Sequence, residues 1–287
     1  MFDLMTALKL VIDRGGSTST SRPGAARWCG STASWSGSIP RRTRSSPGTP
    51  RRSCTTPTLA AIIDHINHTR RKHIVTIEDP VEYIYEDRLS SIDQREVGGD
   101  TFSFQTALRQ VLRQDPDVIL IGEMRDKESV RTALSAAETG HLVLATLHTV
   151  DAPETINRLL DFFPEGEQQQ ARALIAGTLK GIVSQRLVTT ADGKGRVAIA
   201  EVLTMTNRVH EMIIDPRATA QLTDAIKGGE YYGMQTFDQA FYAAVKRSDV
   251  SMQEALRHAT APHDLKLLLN TEGTLRTSMA DVPMQPR

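Results

Sequence analysis

The stretch Asp117-Val118-Ile119-Leu120-Ile121-Gly122, running on into Glu123-Met124-Arg125-Asp126, decides the fold. An almost uninterrupted apolar run of this length reads as a strand covered on both faces, the mark of a buried parallel sheet. Working outward, His73–Glu78 predicts a second strand, stopped by Asp79-Pro80. His141–Leu147 predicts a third. Helical spacing fills the gaps: Leu59, Ile62, Ile63 and Ile66 before the first of these strands, and Ala107, Leu108, Val111 and Leu112 before the central one. Lys127–Thr139 predicts a helix stopped by Gly140, and another begins after Asp151. Strands separated by helices of this length mean βαβ units and an α/β sheet. At the amino end, Leu4, Met5, Leu8, Val11 and Ile12 mark one more helical face. From Pro164 onward the pattern predicts mostly helix, with one strand at Arg196–Leu203.

Composition narrows the class. The 287 residues carry 34 Lys+Arg against 34 Asp+Glu, which excludes a strongly basic nucleic-acid binder or an acidic solvating chain. There is no apolar run of about 18 residues, as a membrane helix needs. Asp3, Lys9 and Asp13 interrupt the amino-terminal apolar stretch as no signal peptide would. Two cysteines, Cys29 and Cys54, make no disulfide framework. The expectation is a cytoplasmic protein, at most peripheral to a membrane, with no nucleic-acid partner.

One segment breaks the average. Between Thr18 and Pro57 there is no Asp, Glu or Lys, but there are seven arginines, both cysteines and both tryptophans. Without a periodic apolar pattern the segment is expected to be disordered. It also reads as shifted coding text. Restoring one base after Ser17 turns the following codons into Ser-Asp-Leu-His-Leu. The same frame turns Trp28–Trp35 into Val-Val-Arg-Val-Asp-Gly-Glu-Leu, which alternates like a strand and ends in a turn. Residues 18–57 are therefore read as frame-shifted.

Chemistry-bearing residues gather at strand ends, where open α/β sheets bind ligands. The first strand runs into Glu78-Asp79-Pro80-Val81-Glu82, the central one into Glu123-Met124-Arg125-Asp126, and the third lies between His141 and His148. An apolar strand ending in a carboxylate is how nucleoside triphosphatases hold Mg²⁺ or its water, and a second carboxylate on a neighbouring strand can act as general base. Capping of the next helix is the alternative use of such acids. His141 and His148, seven apart, face opposite sides of a regular strand. Arg109 and Arg113 share a helix face, and Arg158 follows the third strand. A phosphate loop, Gly-x-x-x-x-Gly-Lys-Ser/Thr, is missing: the Gly193-Lys194 pair is followed by Gly195, and Arg51–Thr58, where the loop belongs, has neither glycine nor lysine.

Residues 58 to about 270 resemble the type II/IV secretion ATPase family, in its type IV pilus retraction (twitching motility) branch. Thr58–Asn67 is similar to the helix that follows that family's Walker A, Ile74–Glu82 to its Asp box, Asp115–Asp126 to its Walker B, Gly140–Asp151 to its His box, and Gly233–Gln239 to a carboxy-terminal segment. The restored amino-terminal text also resembles the family's PAS-like domain. The resemblance implies a RecA-like P-loop ATPase core over 58–205 lacking Walker A, and a helical region with a disordered tail over 206–287. Residues 1–17 would be the remnant of a PAS-like domain that is largely lost or scrambled. It implies ATP and Mg²⁺ as cofactors, Glu82 as general base, Glu123 acting at the γ-phosphate and holding Mg²⁺ through water, and His148 sensing phosphate with His141 in support. Arg109, Arg113 and Arg158 become candidates for arginines acting across subunits. The implied assembly is a homo-hexamer working on an inner-membrane pilus platform protein, inactive as written. A pilus-assembly or type II secretion ATPase of the same family, or a non-catalytic ring subunit, are the competing readings.

Overall fold

The computed structural model describes residues 41–42 and 55–270, with side chains from 57. Helix α1 (Thr55–Thr69) leads into a four-stranded sheet of β2 (His73–Glu78), β4 (Ser91–Glu96), β5 (Val118–Ile121) and β6 (Leu142–Ala145), all parallel, in the order β4-β2-β5-β6. A short β3 (Tyr83–Ile84) lies outside this sheet and pairs antiparallel with β1 (Arg41–Arg42). Helices α2 (Phe104–Val111), α3 (Lys127–Glu138) and α4 (Ala152–Asp161) form the connections and the exit from the sheet.

Both faces of the central strand are covered, as its apolar run demands. Val118 and Leu120 pack with Ile74 and Leu144 against Ile62, Ile63 and Ile66 of α1. Ile119 and Ile121 point the other way, joining Val75 and Ile77 against α2 and α3 through Leu108, Val111, Ala133 and Ala136. The period-two alternation of the strands thus feeds two separate cores from one sheet. On α1, Asp64 is a buried polar exception: it is 5% exposed, and its Oδ2 has no hydrogen-bond partner among the described residues.

After α4 the chain continues through α5 (Glu165–Thr178) into an antiparallel hairpin, β7 (Gly181–Thr189) and β8 (Arg196–Thr204). Helices α6 (Asn207–Ile214), α7 (Leu222–Lys227), α8 (Phe237–Lys246) and α9 (Met252–His258) follow, with a last helix over 262–270. Phe237, Phe241 and Ala244 of α8 pack on Val188, Val197 and Ile199 of the hairpin.

Four expectations are corrected. The region after Pro164 holds two strands, not one; β7 escaped because Ser184-Gln185-Arg186 interrupts its apolar residues, although Ile182, Ser184 and Val188 all turn inward. Strand β4 went unread because an edge strand needs few apolar side chains, and Ser-Ile-Asp-Gln-Arg-Glu offers one. Strand β6 is shorter than expected, so His141 and His148 both fall outside it, at opposite ends. Arg41–Arg42 and Thr55–Pro57, expected to lack structure, lie in β1 and α1; backbone pairing and helix extension need no apolar period. The rest of the segment read as frame-shifted, the helix expected at the amino end and the tail expected after residue 270 lie outside the described residues.

Candidate functional site

Parallel pairing brings the carboxyl ends of β2, β5 and β6 side by side. Gly122, at the end of β5, sets how close they come: its backbone N–H donates to Ile77 O at 2.8 Å, and a Cβ here would meet Ile77 O at 3.3 Å and Glu78 Cα at 3.4 Å. The next residue, Glu123, is held on both carboxylate oxygens. His148 Nε2, beyond β6, lies 3.0 Å from Oε1, and Arg125 donates through Nε at 2.7 Å and Nη2 at 2.6 Å to Oε2. The Glu123 side chain is only 20% exposed, whereas His148 is 78% exposed, so one is anchored and the other faces solvent.

The two acids after β5 divide the roles that the sequence left open. Asp126 is a helix cap: its carboxylate accepts from Ser129 N at 2.9 Å, Ser129 Oγ at 2.7 Å and Gln105 Nε2 at 2.9 Å. Burial alone would raise this carboxyl, but those hydrogen bonds outweigh it and hold it below the ordinary range. Glu123 caps nothing and faces the neighbouring strand ends. Asp151 likewise caps α4, accepting from Glu154 N at 2.9 Å.

Glu82 lies half-buried on the irregular segment that follows β2. Its backbone N–H donates to Glu78, a buried carboxyl that burial pushes up against the pull of Thr76, Gln94 and that same N–H. Glu82, Glu123 and His148 therefore belong to three adjacent strand ends. His141 does not join them. It sits before β6, where its Nδ1 donates to Ala136 O at 2.9 Å and closes the end of α3, beside a cavity of about 430 Å³ at the amino-terminal edge of the sheet. Arg109 pairs with Glu128 in the first turn of α3; Arg113, expected on the same helix face, lies instead exposed in the turn past α2, which ends at Val111; Arg158 stacks over Phe162 at 5.3 Å. None of the three touches Glu123. Sequence reasoning missed Arg125 as a partner of Glu123, and Glu78 and Gln94 as supports of the Glu82 segment. Gln94 acts from a different strand, and pairing of that kind has no signature within the segment it holds.

The residues present fit half of a metal–nucleotide site. Mg²⁺ keeps its waters and takes one or two carboxylates, and Glu123 and Glu82 suit that water shell. The phosphate half does not fit. The cavity between α1 and the strand ends is about 30 Å³, room for a water, and is lined by Leu59, Ala60, Glu78, Tyr85, Gly122 and Thr146, which include no cation. Among the described residues no group of three or more His, Cys, Asp or Glu is placed to hold a metal, and no helix is long and apolar enough to cross a membrane.

Known proteins are similar to this chain. Residues 50–257 match the family model described as type II/IV secretion system protein. The chain is 45% identical over 202 residues to the twitching motility protein of Neisseria gonorrhoeae, covering 70% of this chain and 54% of that one. It is 44% identical over 207 residues to the type IV pilus retractation ATPase PilT of Pseudomonas aeruginosa, covering 72% and 60%. The crystal structure of the pilus retraction motor PilT with bound ADP superposes with a TM-score of 0.69 at 43% identity, over 76% of this chain and 61% of that one. The chain thus spans little more than half the length of the curated relatives it matches.

Proposed function

The chain belongs to the type II/IV secretion system protein family, and from that premise we propose that it is the core of a hexameric motor ATPase of type IV pilus retraction, inactive as written. The observation that carries the reading is the clamp on Glu123, with His148 on one oxygen and Arg125 on the other, beside the strand end that bears Glu82. In this reading Glu82 takes the proton of the attacking water. Glu123 would hold Mg²⁺ through water, the ion would supply charge stabilisation there, and His148, on Oε1 of Glu123, would sense whether that place is filled. His141, at the far edge of the sheet, acts on α3 and not on phosphate. Arg109 and Arg158, on exposed helix positions, and Arg113, in the turn just past α2, serve a neighbouring subunit's nucleotide, and a ring closes through repeated contacts of this kind. The partner is a pilus platform protein of the inner membrane.

Inactivity follows from the missing loop. Each aimed charge stabiliser is worth about 3–4 kcal/mol in the transition state, so losing the loop lysine, its hydroxyl and its amides together is crippling. The test compares Mg-ATP hydrolysis by the chain as written with that of a version carrying Gly-x-x-x-x-Gly-Lys-Ser before Thr58. Turnover should appear only with the loop. Turnover by the chain as written that Glu82→Ala abolishes, or a folded, ring-forming loop version that stays silent, would sink the reading. Genomic sequence around codons 17 to 58 should show a phosphate loop in another frame or a broken assembly.

A further inference from the structure

The segment carrying Glu82 has almost no regular structure of its own, yet its backbone is not left to solvent. Between Val81 and Arg88 its polar groups are taken up by side chains from outside. Val81 N donates to Glu96 Oε2 at 2.9 Å, and Glu82 N to the Glu78 carboxylate. Tyr85 N donates to Gln94 Oε1 at 2.9 Å, while Gln94 Nε2 donates to Tyr83 O at 2.8 Å and reaches Glu78 Oε1 at 3.3 Å. Further along, Asn67, 1% exposed, donates to Glu86 O at 2.8 Å and accepts from Arg88 N at 3.0 Å. Gln94 holds the central place. One amide, on edge strand β4, grips the backbone on the far side of Glu82 with both its donor and its acceptor, and it also touches the carboxyl that grips Glu82 itself.

We propose that Gln94 is a positioning residue for Glu82, fixing through Tyr83 O, Tyr85 N and Glu78 the backbone from which the general base projects. The inference rests on the reading of Glu82 given above, but its first test does not. A carboxamide suits the task because Tyr83 offers an acceptor and Tyr85 a donor; a residue with only one of these capacities leaves one group unpaired.

In the chain as it stands, Gln94→Leu should speed amide exchange at Glu82 and Tyr85 about tenfold or more, the scale expected for losing a pair of net hydrogen bonds, while amides of β5 keep their protection. Gln94→Glu, which keeps the acceptor for Tyr85 and sets a carboxylate against Glu78, should free Glu82 more than Tyr85. Exchange at both amides unchanged in both variants overturns the inference. In the version carrying a phosphate loop, Gln94→Leu should lower kcat about a hundredfold with nucleotide Kd unchanged, as for a base moved by roughly an ångström. The same change should cost nothing further in a Glu82→Ala background. Full kcat in Gln94→Leu, in a parent that turns over, also overturns the inference. A silent parent would count instead against the ATPase reading, and the exchange result would still decide the role of Gln94.

Discussion

Asp64→Asn should make this protein more stable at pH 8 and leave it unchanged near pH 3. Asp64 sits on the buried face of α1, 5% exposed, with no partner for Oδ2, and its Oδ1 is 3.4 Å from His68 Nδ1. Burial lifts its carboxyl above the ordinary value; His68 and Arg88 pull it back only in part. An orphaned buried acceptor costs about 1–3 kcal/mol, and a partly exposed ion pair returns roughly 0–1 kcal/mol of it. The net penalty of the charged form is then about 1–2 kcal/mol, or ~3–6 °C in Tm for a chain of this size. Its pH course follows from the direction of the shift. Below the unfolded value both states hold the proton and Asp64 carries no penalty. As pH rises through the unfolded and then the folded value, the unfolded chain gives up its proton first and stability is lost. Asparagine has no proton to lose, so its advantage should grow across that window and then level off. Urea unfolding of both proteins at pH 3.5, 5.5 and 8 measures this. An Asn variant destabilised by the same amount at all three values would refute the reasoning, and would mean that Oδ2 has a use in the folded protein.

The remaining predictions concern the cap and the site. Asp126→Ala should cost about 1 kcal/mol at pH 7 in denaturant unfolding. Because this carboxyl is held below the ordinary range, the loss should shrink as pH falls through the unfolded and then the folded value. In the version with a phosphate loop, Glu82→Gln should lower turnover by about 10²–10⁴-fold while leaving nucleotide Kd within a factor of a few; loss of binding in parallel would give Glu82 a different role. Mixed rings of Glu82→Gln and Arg113→Ala subunits should recover part of the activity, and no recovery in verified mixed rings would place that arginine's action in its own subunit.

The sheet was legible where side chains alone decide it. Ile119 and Ile121 against Val118 and Leu120 announce a strand buried on both faces, and Asp126, Gly140 and Asp151 mark helix ends that the structure keeps. What escaped was held by pairing with another strand. Strand β4 exists because β2 offers it a parallel neighbour; β7 exists because β8 folds back on it antiparallel. At the site, Glu123 and His148 could be picked out as strand-end residues; Arg125 stood in the same quoted cluster, but only the structure shows its two bonds to Glu123, because nothing in the spacing says which neighbour a flexible arginine takes. His141 and His148 were placed on either side of the third strand, but that bracketing did not say that His141 would turn to Ala136 O, away from Glu123.

Glu201, on β8, is 4% exposed, and its Oε1 accepts from Ala152 N at 2.9 Å. Ala152 opens α4, four residues beyond His148. The hairpin and the histidine that holds Glu123 are thus joined by one short, dry link plus a few covalent bonds, like a pushrod against a valve. In the motor reading proposed above, a load that shifts the hairpin would reach His148 within that length of chain, and a change at His148 would return to the hairpin by the same route.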